Sequence, residues 1–271
     1  MDNNERASAK GDYSDTLLGE EPNRVELGGG ESGRMKSLLQ ALGALPFLAL
    51  AALTAGLSAA PGVWVFHQFY LHVQGLPWHC FYLLLGLGLV LSYIVYGLTL
   101  ILLAPLLNQV FGGRLKPYKG KQVSLGILPW YVQATFTMLP RLSFLPFICT
   151  TPFINLYYRL MGMKMGDNVV INTTAIADPG MIELGERVTL GGSCSLMGHY
   201  AQGGYMVIAP TRIESGATIG LRAIIMGGVV VGEKAKVMAG SFVLPKTVIP
   251  PGEVWGGIPA VKIERPRGQE S

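Results

Sequence analysis

An aliphatic residue returns at every sixth position over the last part of the chain. The run is Val207, Ile213, Ile219, Ile225, Val231, Val237, Val243 and Ile249, and Trp255 occupies the next position of the same period. An α-helix repeats every 3.6 residues and a strand every 2, so neither has this period. Short strands that form the faces of a coil, each pointing one side chain inward, do have it. The period therefore predicts a mainly-β fold, a parallel β-helix whose stacked coils share one core.

The period extends upstream with two interruptions. Its earlier members are Met165, Ile171, Leu184, Leu190 and Leu196. The first interruption, residues 177–181, contains Asp178, and the second, residues 199–206, begins with His199 and has no inward aliphatic ladder. We interpret the second as a loop pushed out of the coil, because insertions in repeat proteins map to one face that often binds ligands. The β-helix is predicted over residues 165–263.

The middle of the chain has the composition of a membrane segment. Between Lys36 and Arg114 there is no Asp, Glu, Lys or Arg. Spans near 37–60 and 81–110 each exceed the roughly 20 apolar residues that a bilayer crossing needs. The connector, 61–79, contains Pro, Gly and Trp residues of the kind found at the headgroup layer. These features predict a transmembrane helical hairpin.

Basic residues flank this hairpin, and the connector has none. They are Arg34, Lys36, Arg114, Lys116, Lys119 and Lys121. Because cytoplasmic flanks of membrane helices are rich in Lys and Arg, we expect an integral protein of the cytoplasmic membrane. Both termini and the β-helix are then predicted to be cytoplasmic, with the hairpin occupying residues 34–113.

The regions outside the hairpin and the β-helix have different characters. Residues 1–33 hold eight of the 17 acidic residues, so this polar tail is predicted to be disordered. Segment 114–164 is apolar but broken by prolines, which favours short amphipathic helices in the membrane interface. Its basic residues are explained either by binding of anionic lipid headgroups or by membrane orientation alone. Residues 264–271 form a C-terminal tail, and no nucleic-acid motif is present.

Few side chains in the predicted β-helix are suited to catalysis. The three cysteines are far apart in sequence, so they predict neither a disulfide framework nor a zinc site. Of four histidines, only His199 lies in the β-helix, and the other three lie in or beside the connector without the spacing of a metal site. A neutral imidazole can accept a proton from an attacking hydroxyl or amine. His199 is therefore either a general base or an ordinary surface histidine at a loop entry.

The repeat resembles the hexapeptide-repeat acyltransferase superfamily. Its last coil is followed by Gly256-Gly257-Ile258-Pro259-Ala260-Val261, which resembles the terminating turn of that superfamily and comes after Pro250-Pro251-Gly252. The resemblance implies a left-handed β-helix, a homotrimer, and acetyl-CoA or another acyl-CoA as donor substrate, with no bound cofactor. A β-helix carbonic anhydrase would need several histidine ligands in the β-helix, whereas this one has only His199.

A narrower resemblance covers residues 114–263. The segment Thr151-Pro152-Phe153 to Gly162, with Gly166 and Asn172-Thr173-Thr174, is similar to the membrane-embedded terminal region of nonribosomal peptide synthetases such as the poly-lysine synthetases. In those proteins membrane hairpins alternate with hexapeptide-repeat units, and a histidine follows the early coils, as His199 does here. This chain has no adenylation or carrier domain, so the synthetase activity is not implied.

The resemblance gives roles to individual residues. His199 is the expected general base, and Asp178 is expected to orient its imidazole, with Glu183 as the alternative. The remaining candidates would bind the donor: Gly227, Gly228 and Gly240 through backbone N–H groups, Lys246, Lys262 and Arg222 at the CoA phosphates, and Trp255 at the adenine or as a cap of the last coil. No metal site is predicted.

The sequence thus predicts a membrane-bound acyltransferase. It would transfer an acetyl or longer acyl group from CoA, or from a carrier thioester, to a hydroxyl or amine of a lipid-linked or membrane-associated acceptor. The alternative is a non-catalytic trimeric membrane platform that assembles a partner biosynthetic enzyme, for which His199 would not be needed. The residues leave the acyl group, the acceptor atom and the donor open.

Overall fold

The computed structural model describes residues 31–112, 114–121 and 124–264. The predicted tails therefore lie outside the described residues, apart from 31–33 and Glu264. The chain divides between Ala44 and Leu45 into two units.

Two long helices come first. Helix α1 spans Glu31–Val73 and helix α2 spans Trp78–Phe111. The parts Leu42–Val73 and Trp78–Phe111 are long and apolar enough to cross a membrane, with mean hydropathies of 1.8 and 2.3. The prediction of a connector over 61–79 was wrong, because α1 continues through Pro61 and the turn is confined to residues 74–77. An apolar helix tolerates an internal proline when a neighbouring helix packs against it.

Glycines let the two helices approach closely. A Cβ atom on Gly62 of α1 would lie 2.5 Å from the backbone oxygen of Ser92 in α2. On α2, a Cβ atom on Gly88 would lie 2.5 Å from the ring of Phe69. Small residues at such positions are typical of helix pairs in membranes, where close van der Waals packing drives association.

A third helix runs back along α2. Helix α3, Leu128–Ser143, follows a short 3₁₀ turn at Leu125–Ile127. Near its start, Val132 packs beside Gly112 at the end of α2. Near its end, Tyr93 of α2 donates a hydrogen bond from Oη to the backbone oxygen of Ser143, at 2.6 Å. The two helices are therefore antiparallel neighbours.

The fourth helix closes one end of the β-helix. Helix α4, Pro152–Leu160, buries Tyr157 and Tyr158 completely. Tyr158 donates from Oη to the backbone oxygen of Thr174, in the first coil, at 3.3 Å. Burial raises the pKa of both tyrosines well above the usual range, so they remain neutral. Part of the segment predicted to lie in the membrane interface thus packs on the β-helix.

Seventeen strands are present in the described residues. They are β1 (Tyr118–Lys121), β2 (Lys164–Met165), β3 (Val170–Ile171), β4 (Ile182–Leu184), β5 (Thr189–Leu190), β6 (Ser195–Leu196), β7 (His199–Gln202), β8 (Tyr205–Ile208), β9 (Thr211–Ile213), β10 (Thr218–Ile219), β11 (Ile224–Ile225), β12 (Val230–Val231), β13 (Lys236–Val237), β14 (Phe242–Val243), β15 (Val248–Ile249), β16 (Val254–Gly257) and β17 (Ala260–Lys262). A second 3₁₀ turn spans Pro179–Met181.

The strands of the β-helix form three sheets. The first has the order β3-β5-β10-β13-β16-β17, the second β6-β11-β14, and the third β2-β4-β9-β12-β15. All neighbours pair in parallel except β16 and β17, which are antiparallel and follow the last coil. Three successive coils, β4-β5-β6, β9-β10-β11 and β12-β13-β14, therefore each contribute one short strand to each sheet, as the six-residue period predicts.

The predicted inward residues lie above one another in the core. Ile219, for example, is in register with Leu190 on one side and Val237 on the other, and Trp255 follows Val237. A second set of inward residues, two positions earlier in each strand region, was not predicted: Ala217, Ala223, Val229, Ala235 and Ser241 are all buried. Their small side chains leave room for the larger aliphatic ladder in a narrow coil.

Val207 does not belong to the coil, contrary to the prediction. It lies on β8 and is only half-buried, whereas its neighbour Ile208 is buried. Strands β7 and β8 form an antiparallel hairpin that leaves the coil after β6, and β1 pairs with β8 to complete a three-stranded sheet. A hairpin strand alternates every second residue, so the six-residue period does not apply to it. The predicted loop 199–206 is this hairpin.

Candidate functional site

The corner between the second and third sheets collects residues that are far apart in sequence. In the first coil, Ile176 forms a parallel bridge with Leu196 of the second sheet, and Asp178 comes two residues after Ile176. His199 follows Leu196 in the next coil, and Gly227 follows Ile225 in the one after that. A Cβ atom on Gly227 would lie 2.8 Å from the backbone nitrogen of His199. Successive coils thus place these residues in a stack.

Asp178 and His199 form a hydrogen-bonded pair at this corner. His199 Nδ1 contacts Asp178 Oδ2, and the same oxygen accepts the backbone N–H of Gly198 at 3.1 Å. Because an ionised carboxylate only accepts hydrogen bonds, the pair places the proton of a neutral imidazole on Nδ1 and leaves Nε2 as the acceptor. Asp178 is 5% exposed and the side chain of His199 is 22% exposed, so the imidazole is reachable while the carboxylate is enclosed.

Trp130 completes this pair from outside the β-helix. Its indole Nε1–H donates to Asp178 Oδ1, the second carboxylate oxygen, at 2.7 Å. Its ring centre lies 5.1 Å from that of His199, with the ring planes at 74°. The residue belongs to the first turn of α3, the helix that packs along α2.

The hairpin register explains why His199 points toward Trp130. His199 and Tyr118 both pair with Ile208, one from each side, so their side chains share one face of the three-stranded sheet. That face is apolar: Ile208 and Met206 pack in a cluster with Met181, and Trp130 borders it. The opposite face carries Lys119 and Lys121 to solvent.

Glu183, the alternative partner of His199, lies elsewhere. It is on β4 of the third sheet and forms ion pairs with Lys164 at 2.6 Å and Arg212 at 3.0 Å. The hydrogen bond from Lys164 is the main cause that lowers the pKa of Glu183, and Arg212 adds to it. The structure therefore places Asp178, rather than Glu183, against the imidazole.

The three glycines expected to bind the donor differ in position. Gly227 and Gly228 lie at the His199 corner, but the N–H of Gly228 already donates to Thr211 Oγ1 at 3.2 Å. Gly240 is at another corner, between the first and second sheets, where its N–H donates to the backbone oxygen of Leu221 at 2.8 Å. Of these three glycines, only Gly227 directly contacts the backbone of His199.

The basic and aromatic residues expected to bind the acyl donor also lie at different places in the β-helix. Lys246 is stacked on Gly227, donating its N–H to the Gly227 oxygen at 3.2 Å, and its Nζ lies 6.0 Å from the ring centre of Tyr200 in the hairpin. Lys246 therefore belongs to the His199 corner.

Trp255 and Lys262 lie together at the end of the β-helix. They are paired across β16 and β17, and both bind Glu253: the indole Nε1–H donates to Oε2 at 2.8 Å, and Lys262 Nζ donates to Oε1 at 2.5 Å. These hydrogen bonds lower the pKa of Glu253 and raise that of Lys262. Arg222 is exposed in a turn with φ 54°. Trp255, Lys262 and Arg222 do not contact the Asp178–His199 pair.

The cysteines of the β-helix region are not placed for chemistry. Cys194 is fully buried in the coil, and burial raises the pKa of its thiol to about 12. Burial also raises the pKa of Cys149. In the part of the chain that the structure describes, no group of three or more His, Cys, Asp or Glu side chains is arranged to hold a metal.

Two residues of the site were not identified from the sequence. Trp130 lies in an apolar segment where a tryptophan is expected at the membrane interface, so nothing marks it as a partner of Asp178. Thr211 is completely buried, and its Oγ1 donates to the oxygen of Met197 at 2.8 Å while accepting from Gly228. A threonine at the start of the first regular coil after the interruption was the available signal, since a buried hydroxyl needs partners.

Part of the chain matches a known family of repeats. Residues 210–245 match the family model described as the hexapeptide repeat of succinyl-transferase. Six-residue repeats of this kind form left-handed β-helices, so the match and the strand pairing confirm the predicted fold class.

Two curated proteins are similar over the β-helix region. The delta-poly-L-ornithine synthetase of Acinetobacter baumannii (strain AB307-0294) is 29% identical over 110 residues, which cover 41% of this chain and 8% of that protein. The mitochondrial gamma carbonic anhydrase 2 of Arabidopsis thaliana is 35% identical over 102 residues, which cover 36% of this chain and 32% of that protein. The chain thus spans about a third or less of the length of these relatives.

Among solved structures, a hexapeptide-repeat containing acetyltransferase from Vibrio cholerae is 26% identical, with a TM-score of 0.34 over 38% of this chain and 62% of that one. The superposition is too partial to define the fold, which follows from the repeat and the strand pairing. The similarity to the ornithine synthetase agrees with the resemblance to membrane-embedded peptide synthetase regions. This chain therefore contains a left-handed β-helix built from six-residue repeats, and residues 210–245 of it match the hexapeptide-repeat model.

Proposed function

We propose that the protein is an acyltransferase that uses His199 as its general base. The observation that supports this most strongly is the Asp178–His199 pair, held at a corner of the coil where the hairpin opens the β-helix. A carboxylate that fixes the imidazole tautomer leaves Nε2 available to accept a proton, the arrangement that general-base catalysis requires. The hexapeptide-repeat family match supports the same class of reaction.

The reaction would be a direct transfer. The acceptor hydroxyl or amine attacks the thioester carbonyl of acetyl-CoA while Nε2 of His199 takes its proton. The tetrahedral intermediate then collapses, the carbon–sulfur bond breaks, and the same proton passes to the CoA thiolate. The products are the acetylated acceptor and CoA. Asp178 would stabilise the imidazolium that forms between these steps.

The donor would lie along the corner formed by Gly227 and Lys246. Because Gly227 has no side chain, its coil packs directly against the His199 backbone, so a donor that lies along this corner would be beside the imidazole. Lys246, on the next coil, offers a positive charge to a phosphate, held above Tyr200. Gly240, Trp255 and Lys262 are away from this corner, so they are weaker candidates for contacts with the donor.

The acceptor would be membrane-associated. Helices α1 and α2 are suited to cross a bilayer by length and composition, and α3 runs beside α2 to the site. No acidic residue occurs between Glu31 and Asp167, while Arg114, Lys116, Lys119 and Lys121 follow α2 closely. This excess charge suits the anionic headgroups of a cytoplasmic leaflet. The cytoplasmic site and a homotrimer, with each groove shared by two copies, are parts of the same proposal.

The test compares His199→Ala with the parent protein, both purified in detergent. We expect calorimetry to show saturable binding of acetyl-CoA by both proteins, because the base does not hold the donor. Acetyl transfer to a total extract of bacterial membrane lipids, followed as release of the CoA thiol, should fall at least ~100-fold in the variant, within the range typical of general-base catalysis. His79→Ala, in the first turn of α2, is the control and should retain the parental rate.

The opposite results have a definite meaning. Unchanged CoA release by His199→Ala would remove His199 from the mechanism. Absence of acetyl-CoA binding by the parent would remove CoA as the donor. Both results together would favour the non-catalytic platform, in which the β-helix presents a surface to a partner enzyme.

A further inference from the structure

We infer that Trp130 is a positioning residue of the proposed active site, so that the Asp178–His199 pair is competent only when the helix from the membrane segment is docked on the β-helix. The inference rests on the proposed function. It assigns a role to a residue that lies outside the repeat and that no motif marks.

Both carboxylate oxygens of Asp178 accept hydrogen bonds from the protein. Asp178 is 5% exposed, so its oxygens depend on protein donors rather than on water. Oδ2 accepts from His199 Nδ1 and from the N–H of Gly198, and Oδ1 accepts from Trp130 Nε1 at 2.7 Å. Without the indole, Oδ1 has no donor among the described residues, and the carboxylate is free to rotate about its Cβ–Cγ bond.

Trp130 also contacts the imidazole of His199. The Trp130 ring stands at 74° to that of His199 with centroids 5.1 Å apart, a contact that limits the tilt of the imidazole. The indole therefore holds both members of the pair, the carboxylate by a hydrogen bond and the imidazole by its ring.

Trp130 comes from a helix outside the β-helix. The residue lies in the first turn of α3, which is joined to α2 at both ends, through Val132 beside Gly112 and through Ser143 bound by Tyr93. The β-helix supplies Asp178 and His199 from adjacent coils, whereas the indole comes from the membrane segment. The site is therefore composite, and displacement of α3 would leave the two residues near each other but poorly aligned.

The test uses Trp130→Phe, which keeps an aromatic ring and removes the N–H donor. The probe is acetyl-CoA with the same total extract of bacterial membrane lipids as acceptor, and the measured quantity is release of the CoA thiol. We expect kcat to fall by about 10- to 100-fold, as expected for a small misalignment of a catalytic group, with unchanged KM for acetyl-CoA. Trp78→Phe removes an exposed indole at the start of α2 and should behave as the parent.

A second measurement needs no turnover. In a protein labelled with ¹⁵N at the indole nitrogens, the Trp130 resonance is the one missing from Trp130→Phe. Replacing its acceptor by Asp178→Asn should move that resonance, whereas the resonance of Trp78 should stay in place.

The outcomes separate the two proposals. A parental rate for Trp130→Phe, beside an inactive His199→Ala, would overturn the inference and leave the proposed function standing. If Asp178→Asn leaves the Trp130 resonance unchanged, the hydrogen bond between the two residues is absent and the inference is overturned, whether or not CoA is released. Parental CoA release by His199→Ala would overturn the function and the positioning role together.

Discussion

At the residue scale, the site depends on the absence of a side chain in the coil above it. Gly227 lies so close to His199 that a Cβ atom would meet the nitrogen, carbonyl carbon and Cα of His199 at 2.8, 2.9 and 2.9 Å. These are backbone atoms, which cannot swing away as the end of a flexible side chain does. Any side chain at position 227 must therefore displace the strand that carries the imidazole.

Gly227→Ala should accordingly lower activity more than its effect on stability explains. We expect about 1–3 kcal/mol of destabilisation from overpacking, and a drop in CoA release of about 10-fold or more from displacement of His199. The melting temperature in detergent and the initial rate check the two effects.

Gly232→Ala is the matched control for that change. Its Cβ would lie 2.5 Å from the nitrogen of Pro251, a similar conflict between adjacent coils at a different corner. We expect a comparable loss of stability with the parental rate. Equal losses of activity in both variants would show that the coil as a whole, rather than the His199 corner, is sensitive to overpacking.

At the element scale, the position of α3 is fixed by its contact with α2. Phe144, directly after α3, packs on Gly97, where a Cβ atom would lie 2.0 Å from the ring. Phe144 is 1% exposed, so the ring has little room to move. The end of α3 opposite Trp130 is thus held by an aromatic ring on a glycine.

Gly97→Val should push Phe144 and α3 away from α2. We expect about 1–3 kcal/mol of destabilisation, together with reduced CoA release because Trp130 moves with the helix. Gly86→Val, on the same helix, is the control, since a Cβ atom there meets nothing within 4 Å. Thermal unfolding and initial rates of both variants in detergent check this, and a parental rate for Gly97→Val would mean that α3 can shift without disturbing the site.

The coils themselves were predictable from sequence because each buries one side chain at a fixed interval. The period located the inward residues from Ile213 to Ile249 and extended to Trp255. The period failed at Val207, where the chain changes from coil to hairpin and buried residues recur at every second position. It also did not reveal the second inward ladder, because alanine and serine are common on surfaces as well as in narrow cores.

The site was predictable only where the coil is interrupted. Both interruptions contain a polar residue of the pair, Asp178 in the first and His199 in the second, and adjacent coils bring them together. Trp130 was not predictable in this way, because its contact with Asp178 joins two parts of the chain that share no repeat. The pairing of β1 with β8 has the same origin, since nothing in the sequence around Tyr118 marks a strand partner.

At the scale of the whole molecule, the proposed orientation places the β-helix on the cytoplasmic side and the turn between α1 and α2 on the other. The turn has no Lys or Arg, and the basic residues are near the opposite ends of the helices. Because the positive-inside rule depends on this asymmetry, the orientation can be tested without knowing the substrate.

Cysteines introduced one at a time into a protein carrying Cys80→Ser and Cys149→Ser, in which the remaining Cys194 is buried, should show which side of the membrane each position faces. In intact cells, a membrane-impermeant maleimide should label Gln74→Cys, at the exposed turn, but not Ala239→Cys, which is exposed on the β-helix. After the cells are opened, both should react. Labelling of Ala239→Cys in intact cells would reverse the proposed orientation.

The pairing of β1 with β8 has a consequence for the time at which the protein becomes complete. Its register joins Tyr118, close behind the second long helix, to Ile208, which is synthesised only after the early coils have emerged from the ribosome. Contacts between such distant parts of a chain close large loops, so they form late and limit the folding rate. A nascent chain that ends before Ile208 has Trp130 and His199 but not the strand between β1 and β7 that sets their faces. The site is therefore completed only after Ile208 has been synthesised, later than both long helices.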